Sequence, residues 1–166
     1  GLENLYYYTN GNITTIKKEQ GRKLIEKKNK ILFGFSVSSN PSERQPALDI
    51  LTKTKITEKI SGWPNAWGYL NRLNSYKFVA APPGNGIDSP REWQAMYLGV
   101  VPIVKESILT QYYSNIGLPV FTIKNWDELL TLDEQKLQDI YEKISPKFAS
   151  PALYFDYWNN IITNHD

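Results

Sequence analysis

The chain has 166 residues, a length typical of one domain, and 41% of them are apolar, which is enough for a hydrophobic core. Charged residues make up 22% of the chain and its net charge is only +2, so the composition excludes both a disordered and a fibrous protein. The absence of cysteine excludes disulfides, a thiolate nucleophile and any cysteine-based zinc site.

Residues 1–30 show no clear hydrophobic period and are predicted to be a lead-in segment, with a short helix at about 17–29. Residues 17–30 carry seven Lys or Arg against two Glu, a local charge of +5. A solvated helix face or a flexible lead-in explains this charge, and contact with an anionic membrane surface or nucleic acid is the alternative. Because no aromatic residues interleave with the lysines, we expect no nucleic-acid partner.

Over residues 31–166, short apolar runs alternate with helical stretches, which is typical of βαβ units around a parallel sheet. The predicted strands are 31–37, 77–81, 100–104 and 120–123. Each is a nearly continuous apolar run, as expected when helices cover both faces of the sheet. The sequence therefore predicts one Rossmann-like α/β domain, a parallel sheet flanked by helices.

The predicted helices have recognisable start signals. After the first strand, Asn40 is a capping residue, followed by proline at the first helical position. After the second, Ser89 and Glu92 have the spacing of a full capping box, and Gly99 is predicted to end that helix. Further helices are predicted at about 65–73, 107–113, 133–144 and 149–163.

Residues 76–104 are predicted to form a strand, a glycine-containing loop, a capped helix and a second strand. The loop leaves the carboxyl end of a parallel strand, the edge at which open α/β sheets bind ligands. Gly84 and Gly86 would let backbone N–H groups approach a ligand closely, and the helix dipole favours an anion such as a pyrophosphate. Arg91, in the first helical turn, would add a charge-assisted contact to phosphate.

The same features also have structural explanations. Gly84 and Gly86 would serve a tight turn, and Arg91 would pair with a nearby carboxylate. The loop lacks the third glycine of G-x-G-x-x-G, which disfavours a nicotinamide-dinucleotide site. It is not G-x-x-x-x-G-K-[ST] either, which excludes a P-loop.

The order and spacing of these pieces resemble the exostosin-type pattern of GT-B glycosyltransferases. The central match is KFVAAPPGNGIDSPREWQAMYLGVVPIV: an apolar strand, P-x-G-x-G-x-D, a helix opening with Ser and Arg, and G-x-x-P-[IV]-[IV]. It is preceded by ILFGFSVSSNPSER, similar to the strand and arginine-bearing loop that open the family's C-terminal lobe. Residues 118–120, 125–128 and 154–158 extend the similarity, which covers about 31–163. GT-B fucosyltransferases share a looser form of the pattern.

The resemblance implies a nucleotide-sugar pocket at the carboxyl edge of the sheet. It assigns phosphate and sugar binding to the loop residues Gly84, Asn85, Gly86, Asp88 and Ser89. It assigns the diphosphate to Arg91, with Arg44 as a second candidate whose alternative is a solvated helix arginine. Where the family commonly has an acidic residue that holds donor hydroxyls, this chain has Gln94, which forms hydrogen bonds but brings no charge. This departure favours an unusual donor or binding without turnover.

The resemblance also implies catalysis without a metal, because positive charge and helix dipoles stabilise the diphosphate leaving group in GT-B enzymes. Arg91 and the helix terminus at Ser89 would act on the departing phosphate. The chain has no D-x-D pair, and we expect no metal and no cofactor, with a nucleotide-sugar as donor and a glycan as acceptor. The only histidine, His165, is the penultimate residue, and chain termini are usually frayed, so the general base is unassigned. In the family it comes from an N-terminal lobe, so we expect such a lobe or a partner subunit.

Trp63, in a loop before a predicted helix, would stack on a sugar or a nucleobase, or else cap the core.

Three interpretations of the function remain open at this level. The chain would be the donor-binding half of a glycosyltransferase, or a non-catalytic module that binds a nucleotide or glycan. A third possibility, an unrelated flavodoxin-like or receiver-like domain, is disfavoured in its receiver form because residues 35–39 contain no acidic cluster.

The sequence gives limited information about location. Its apolar stretches fall far short of the roughly 20 residues that a membrane span requires, so we expect no membrane span. No charged-then-apolar signal segment opens the chain. A cysteine-free chain fits a reducing compartment such as the cytoplasm, although secreted proteins can also lack cysteine.

Overall fold

The structure is a computed structural model that describes residues 26–62 and 66–163. Within these residues, five strands form one fully parallel sheet in the order β2-β1-β3-β4-β5. The strands are β1 (Lys28–Phe33), β2 (Thr57–Lys59), β3 (Tyr76–Ala80), β4 (Val101–Lys105) and β5 (Phe121–Ile123). Helices flank the sheet, so the predicted Rossmann-like α/β fold is confirmed.

Six α-helices occur in the described part of the chain. They are α1 (Pro41–Leu51), α2 (Ala66–Asn74), α3 (Pro90–Tyr97), α4 (Ile108–Asn115), α5 (Glu134–Ile144) and α6 (Phe155–Thr163). Short 3₁₀ segments lie at Val37–Ser39, Trp126–Thr131, Ser145–Ala149 and Pro151–Leu153. None of these described helices has the length and apolar character needed to cross a lipid bilayer.

The central strands are buried on both faces, as their apolar runs predict. On one face, Phe78 and Ile103 are fully buried and pack with Leu51 of α1 and Leu137 of α5. On the other, Val79 packs against α2 and α3. Burial of such side chains stabilises the fold by about 1.5–3 kcal/mol each. The sheet is therefore a rigid platform for the loops at its carboxyl edge.

The strand boundaries differ from the prediction at two places. The first strand begins at Lys28 and ends at Phe33, so its start lies within the segment predicted to be helical, and residues 37–39 form a 3₁₀ turn. Strand β2 was not predicted, because Thr57–Lys59 is only three polar residues at the sheet edge. The rest of the predicted helix at 17–29 lies outside the described residues.

Two predicted helices are also corrected. The helix predicted at 149–163 is three pieces, because Pro151 opens a separate 3₁₀ turn and an α-helix begins only at Phe155. The helix that begins at Pro90 has the Ser89 cap but not the full capping box: the Ser89 Oγ atom accepts from the Arg91 N–H, whereas Glu92 is buried. Gly99, with φ of +66°, follows the end of this helix as predicted.

Candidate functional site

A cleft of about 810 Å³ lies at the carboxyl edge of the sheet. From β1 the chain crosses to β2 on one side and then returns to β3 on the other, so β1 and β3 form a topological switch point. The loops that follow these two strands diverge there and leave a crevice, where ligands of open α/β sheets bind. The walls of the cleft come from these loops, from the region after β2, and from α1, α2 and α3.

The structure brings the eight donor-site residues predicted from the sequence to this one cleft. The cleft is lined by Arg44, Gly84, Asn85, Gly86, Asp88, Ser89, Arg91 and Gln94. Gln94 is 5% exposed and lines the cleft from within α3. Two other residues considered from the sequence, Trp63 and His165, lie outside the described residues.

The glycine-containing loop is held in place by two side chains from the start of α1. Asn40 donates from Nδ2 to the carbonyl oxygen of Gly84 at 3.0 Å, and Arg44 donates from Nε to that of Pro83 at 3.0 Å. Asn40 occupies the N-cap position of α1 as predicted, but its side chain makes no capping hydrogen bond and joins the two loops instead. The loop is therefore preorganised before any ligand binds.

The two glycines of this loop have different roles. A Cβ atom added at Gly84 would lie 2.8 Å from Nη2 of Arg44, so the absence of a side chain there makes room for the guanidinium group. At Gly86 an added Cβ atom would meet the carbonyl oxygen of Asp88 at 3.5 Å, an ordinary contact. Neither glycine has a positive φ, so neither is explained by a turn that requires the left-handed region.

The N-terminus of α3 faces the cleft. Ser89, Pro90 and Arg91 line the cleft, and Pro90 occupies the first helical position, where no N–H is needed. The Arg91 N–H donates to Ser89 Oγ and the Glu92 N–H to the Ser89 carbonyl oxygen, while the helix dipole places a partial positive charge at this end. This end of α3 is suited to an anionic group.

Two guanidinium groups complete the positive side of the cleft. Arg44 also donates from Nη1 to the carbonyl oxygen of Ser36 at 2.8 Å and lies over the ring of Phe35 at 5.8 Å. Burial, and then the positive charge of Arg91, lowers the pKa of Arg44. Neither arginine forms an ion pair within the described part of the chain. Two neighbouring cations without a carboxylate partner among the described residues attract an anion.

A second pocket, of about 350 Å³, adjoins the cleft across the same loop. Glu92 lines it and is 2% exposed, and its Oε2 atom has no hydrogen-bond partner among the described residues. Burial raises the pKa of Glu92 to about 8, with the charge of Asp88 adding to the rise and that of Arg91 opposing it. Sequence reasoning missed this residue because its spacing from Ser89 had a sufficient explanation as a capping box.

The described residues contain no group of three or more potential metal-ligating side chains. In comparisons with known proteins, no family model matches the chain, and no curated protein is significantly similar to it.

Proposed function

We propose that the cleft binds the diphosphate of a nucleotide-sugar, and that the domain is the donor-binding half of a metal-independent, exostosin-like GT-B glycosyltransferase. The observation that carries the proposal is the convergence of two guanidinium groups, from Arg44 and Arg91, on a helix N-terminus at the switch point, with no ion pair to either among the described residues. A pyrophosphate group compensates both charges and is stabilised by the partial positive charge of that helix end.

The cleft also accommodates the rest of a nucleotide-sugar. Its volume lies within the range of about 300–1,000 Å³ that is common for small-molecule sites. Asp88 and Gln94 supply hydrogen-bonding groups for ribose or sugar hydroxyls. Phe35 and Tyr69 add aromatic surface to the walls.

In the proposed reaction, the bond between the anomeric carbon and the diphosphate oxygen breaks while the acceptor hydroxyl attacks the carbon. Negative charge builds up on the departing diphosphate, and fixed positive groups lower the barrier because they need no reorganisation. Arg91, Arg44 and the dipole of α3 would supply those groups. A glycan acceptor and the general base would be held by a further lobe or a partner subunit.

Two alternative functions are each favoured by a specific observation. The neutral side chain of Gln94, where the family has an acid, favours a module that binds the ligand without turnover. The strand order 2-1-3-4-5 is shared with flavodoxin-like domains, which bind FMN at the same crevice. Two neighbouring guanidinium groups fit a diphosphate better than the monophosphate of FMN.

Calorimetric titration of the full chain with UDP, GDP, ADP and FMN tests the proposal. We expect one of the nucleoside diphosphates to bind, and FMN to bind more weakly or not at all. Arg91→Ala should weaken that binding by about 10- to 100-fold, because each charge-assisted hydrogen bond contributes about 1.5–3 kcal/mol. Arg44→Ala should also weaken it.

The matched control is Lys55→Ala, which removes one positive charge from an exposed position between α1 and β2, at the opposite edge of the sheet. We expect it to leave the affinity unchanged. An Arg91→Ala variant with the affinity of the unmodified chain would refute the site. Release of nucleotide from a nucleotide-sugar, assayed with the same variants, separates a transferase from a binding module.

A further inference from the structure

Glu92 lies in the first turn of α3, directly after Arg91, which lines the cleft. Glu92 itself lines the second pocket, on the other side of the glycine-containing loop. It is 2% exposed, and its Oε2 atom is buried without a hydrogen-bond partner among the described residues. A ligand in either cavity cannot contact that atom, so Glu92 influences the cleft through its charge.

A carboxyl group in this position keeps its proton at neutral pH. An ionised carboxylate that is buried without a partner is far less stable than the neutral form, because it loses its hydration. Burial raises the pKa of Glu92 to about 8, the charge of Asp88 adds to the rise, and that of Arg91 opposes it. Glu92 therefore ionises just above neutral pH, where a small change in the local field alters its protonation.

A diphosphate in the cleft would change this field in three ways that have the same sign. Its negative charge would repel the Glu92 carboxylate, as the charge of Asp88 does. It would also neutralise Arg91, whose charge favours the ionised form of Glu92. Finally, it would compete with the carboxylate for the partial positive charge at the start of α3. Solvent screens these effects weakly because Glu92 is buried.

The other titratable groups around Glu92 do not cancel these effects. Tyr113 of α4 stays neutral, because burial and the neighbouring carboxyl groups raise its pKa further above the ordinary value. Lys105 is paired with Glu43, with Nζ 2.9 Å from Oε2, and Glu106 is exposed to solvent. Among the described residues that line the second pocket, the one cation is therefore already compensated by a carboxylate.

We propose that the domain takes up a proton at Glu92 when it binds a diphosphate, so that its affinity for nucleotide falls as pH rises above neutrality. This inference rests on the proposed function and describes how that site is regulated. Near pH 6.5 Glu92 is protonated with or without the ligand, and the two events are independent. Above about pH 8 the unliganded chain has lost the proton, and binding has to restore it from the buffer.

The test is calorimetric titration of the full chain with whichever of UDP, GDP and ADP binds most tightly, at about pH 6.5 and about pH 8 in Tris and in HEPES. These buffers have different ionisation enthalpies, so the difference in heat counts the protons taken up. Each titration is repeated with Glu92→Gln, which cannot ionise. The ionisation of the nucleotide itself contributes equally to both chains, so their difference isolates Glu92.

We expect no difference between the two chains at pH 6.5, and about 0.2–0.4 more protons taken up per nucleotide by the unmodified chain at pH 8. Its affinity relative to Glu92→Gln should fall about two- to threefold between about pH 6.5 and about pH 8.5. The matched control is Lys27→Met, because the pKa of Lys27 is also about 8 but the residue lies at the opposite edge of the sheet. It should take up as many protons as the unmodified chain.

A second measurement needs only the unmodified chain and applies even if Glu92→Gln fails to fold. In a carbon-13-labelled chain, the titration midpoint of the Glu92 carboxyl resonance should rise by about half to one pH unit when the nucleotide saturates the cleft. If the nucleotide binds but the midpoint does not rise and no extra proton is taken up, the inference is wrong and the proposed function stands. If none of the three nucleotides binds, the proposed function fails and this inference fails with it.

Discussion

At Gly84, the close approach of the Arg44 guanidinium group leaves no space for a side chain. An added Cβ atom would lie 2.8 Å from Nη2 of Arg44, less than van der Waals contact. The arginine is held there by hydrogen bonds to the carbonyl oxygens of Pro83 and Ser36. Because the far end of an arginine moves more easily than the backbone, the guanidinium group would give way and lose its place in the cleft.

We therefore expect Gly84→Ala to weaken nucleoside diphosphate binding by about 5- to 20-fold with little change in the free energy of unfolding. Gly86→Ala is the matched control, because its Cβ atom would meet only an ordinary contact at 3.5 Å. Calorimetry and urea unfolding of both variants measure the two quantities. Equal affinities for the two variants would contradict the role given to Gly84.

Glu92 makes the stability of the fold depend on pH. Its pKa in the folded chain is about 8, above the ordinary value of 4.5, because burial disfavours the ionised form. Between these two pH values the unfolded chain releases the proton and the folded chain keeps it, so stability falls as pH rises. The groups whose charges act on Glu92 are Asp88 and Arg91, and Tyr113 also interacts with it.

We expect Glu92→Gln, which cannot ionise, to gain stability relative to the unmodified chain as pH rises from about 5 to about 8. Below about pH 4.5 the difference should be constant, since Glu92 is then protonated in both states. Urea unfolding at several pH values measures the effect. Glu134→Gln, at an exposed position in the first turn of α5, is the control. If the difference in the free energy of unfolding between Glu92→Gln and the unmodified chain did not change with pH, the burial of a neutral Glu92 carboxyl group would be contradicted.

At the scale of helices and strands, Lys27 joins the carboxyl ends of two helices at the edge of the sheet opposite the cleft. Its Nζ atom donates to the carbonyl oxygen and to Oδ1 of Asn74, the last residue of α2, at 2.6 and 2.7 Å. It also donates to the carbonyl oxygen of Leu98, after α3, at 3.0 Å. A cation at these two helix ends interacts favourably with both dipoles.

We predict that Lys27→Met destabilises the fold by about 1–3 kcal/mol, because buried carbonyl oxygens lose their partner. Lys53→Met, at an exposed position, is the control and should change little. Urea unfolding of both variants provides the measurement. Burial lowers the pKa of Lys27 to about 8, and an equal stability of the two variants would show that this burial cost cancels the hydrogen bonds.

The elements predicted correctly were the strands buried on both faces of the sheet and the helices whose ends carry a capping residue or a glycine. β3 and β4 are continuous apolar runs, and α3 begins after Ser89 and ends before Gly99, as their residue types require. β2 was missed because a three-residue polar strand has no hydrophobic period and depends on pairing with β1. An edge strand that depends only on pairing with its neighbour leaves no local signal in the sequence.

The candidate site was predictable to the extent that it follows from strand ends. Arg44 and Arg91 each follow a predicted strand, so the rule that ligands bind at the carboxyl edge places them together. The burial of Glu92 was not predictable, because it depends on how α3 packs against β4 and α4. The hydrogen bond between Asn40 and Gly84 was not predictable either, because it joins two loops that are 44 residues apart in the sequence.

At the scale of the whole molecule, the strand order concentrates charge at one edge. The chain carries a net charge of only +2, yet the cleft is lined by Arg44, Lys59 and Arg91 against the single carboxylate of Asp88 within the described residues. A cleft with low-dielectric walls focuses such a field and attracts anionic ligands. The fold thus converts a nearly neutral sequence into a positively charged site.

The most direct test of the diphosphate site is chemical-shift mapping of the full chain by NMR, with UDP, GDP or ADP added. Backbone amides of residues 84–89 and 91 and the Nε–H group of Arg44 should show the largest shifts. Amides at the opposite edge, near Lys27 and Ser75, should not move. Shifts confined to other parts of the surface, or no shift with any of the three nucleotides, would contradict the account.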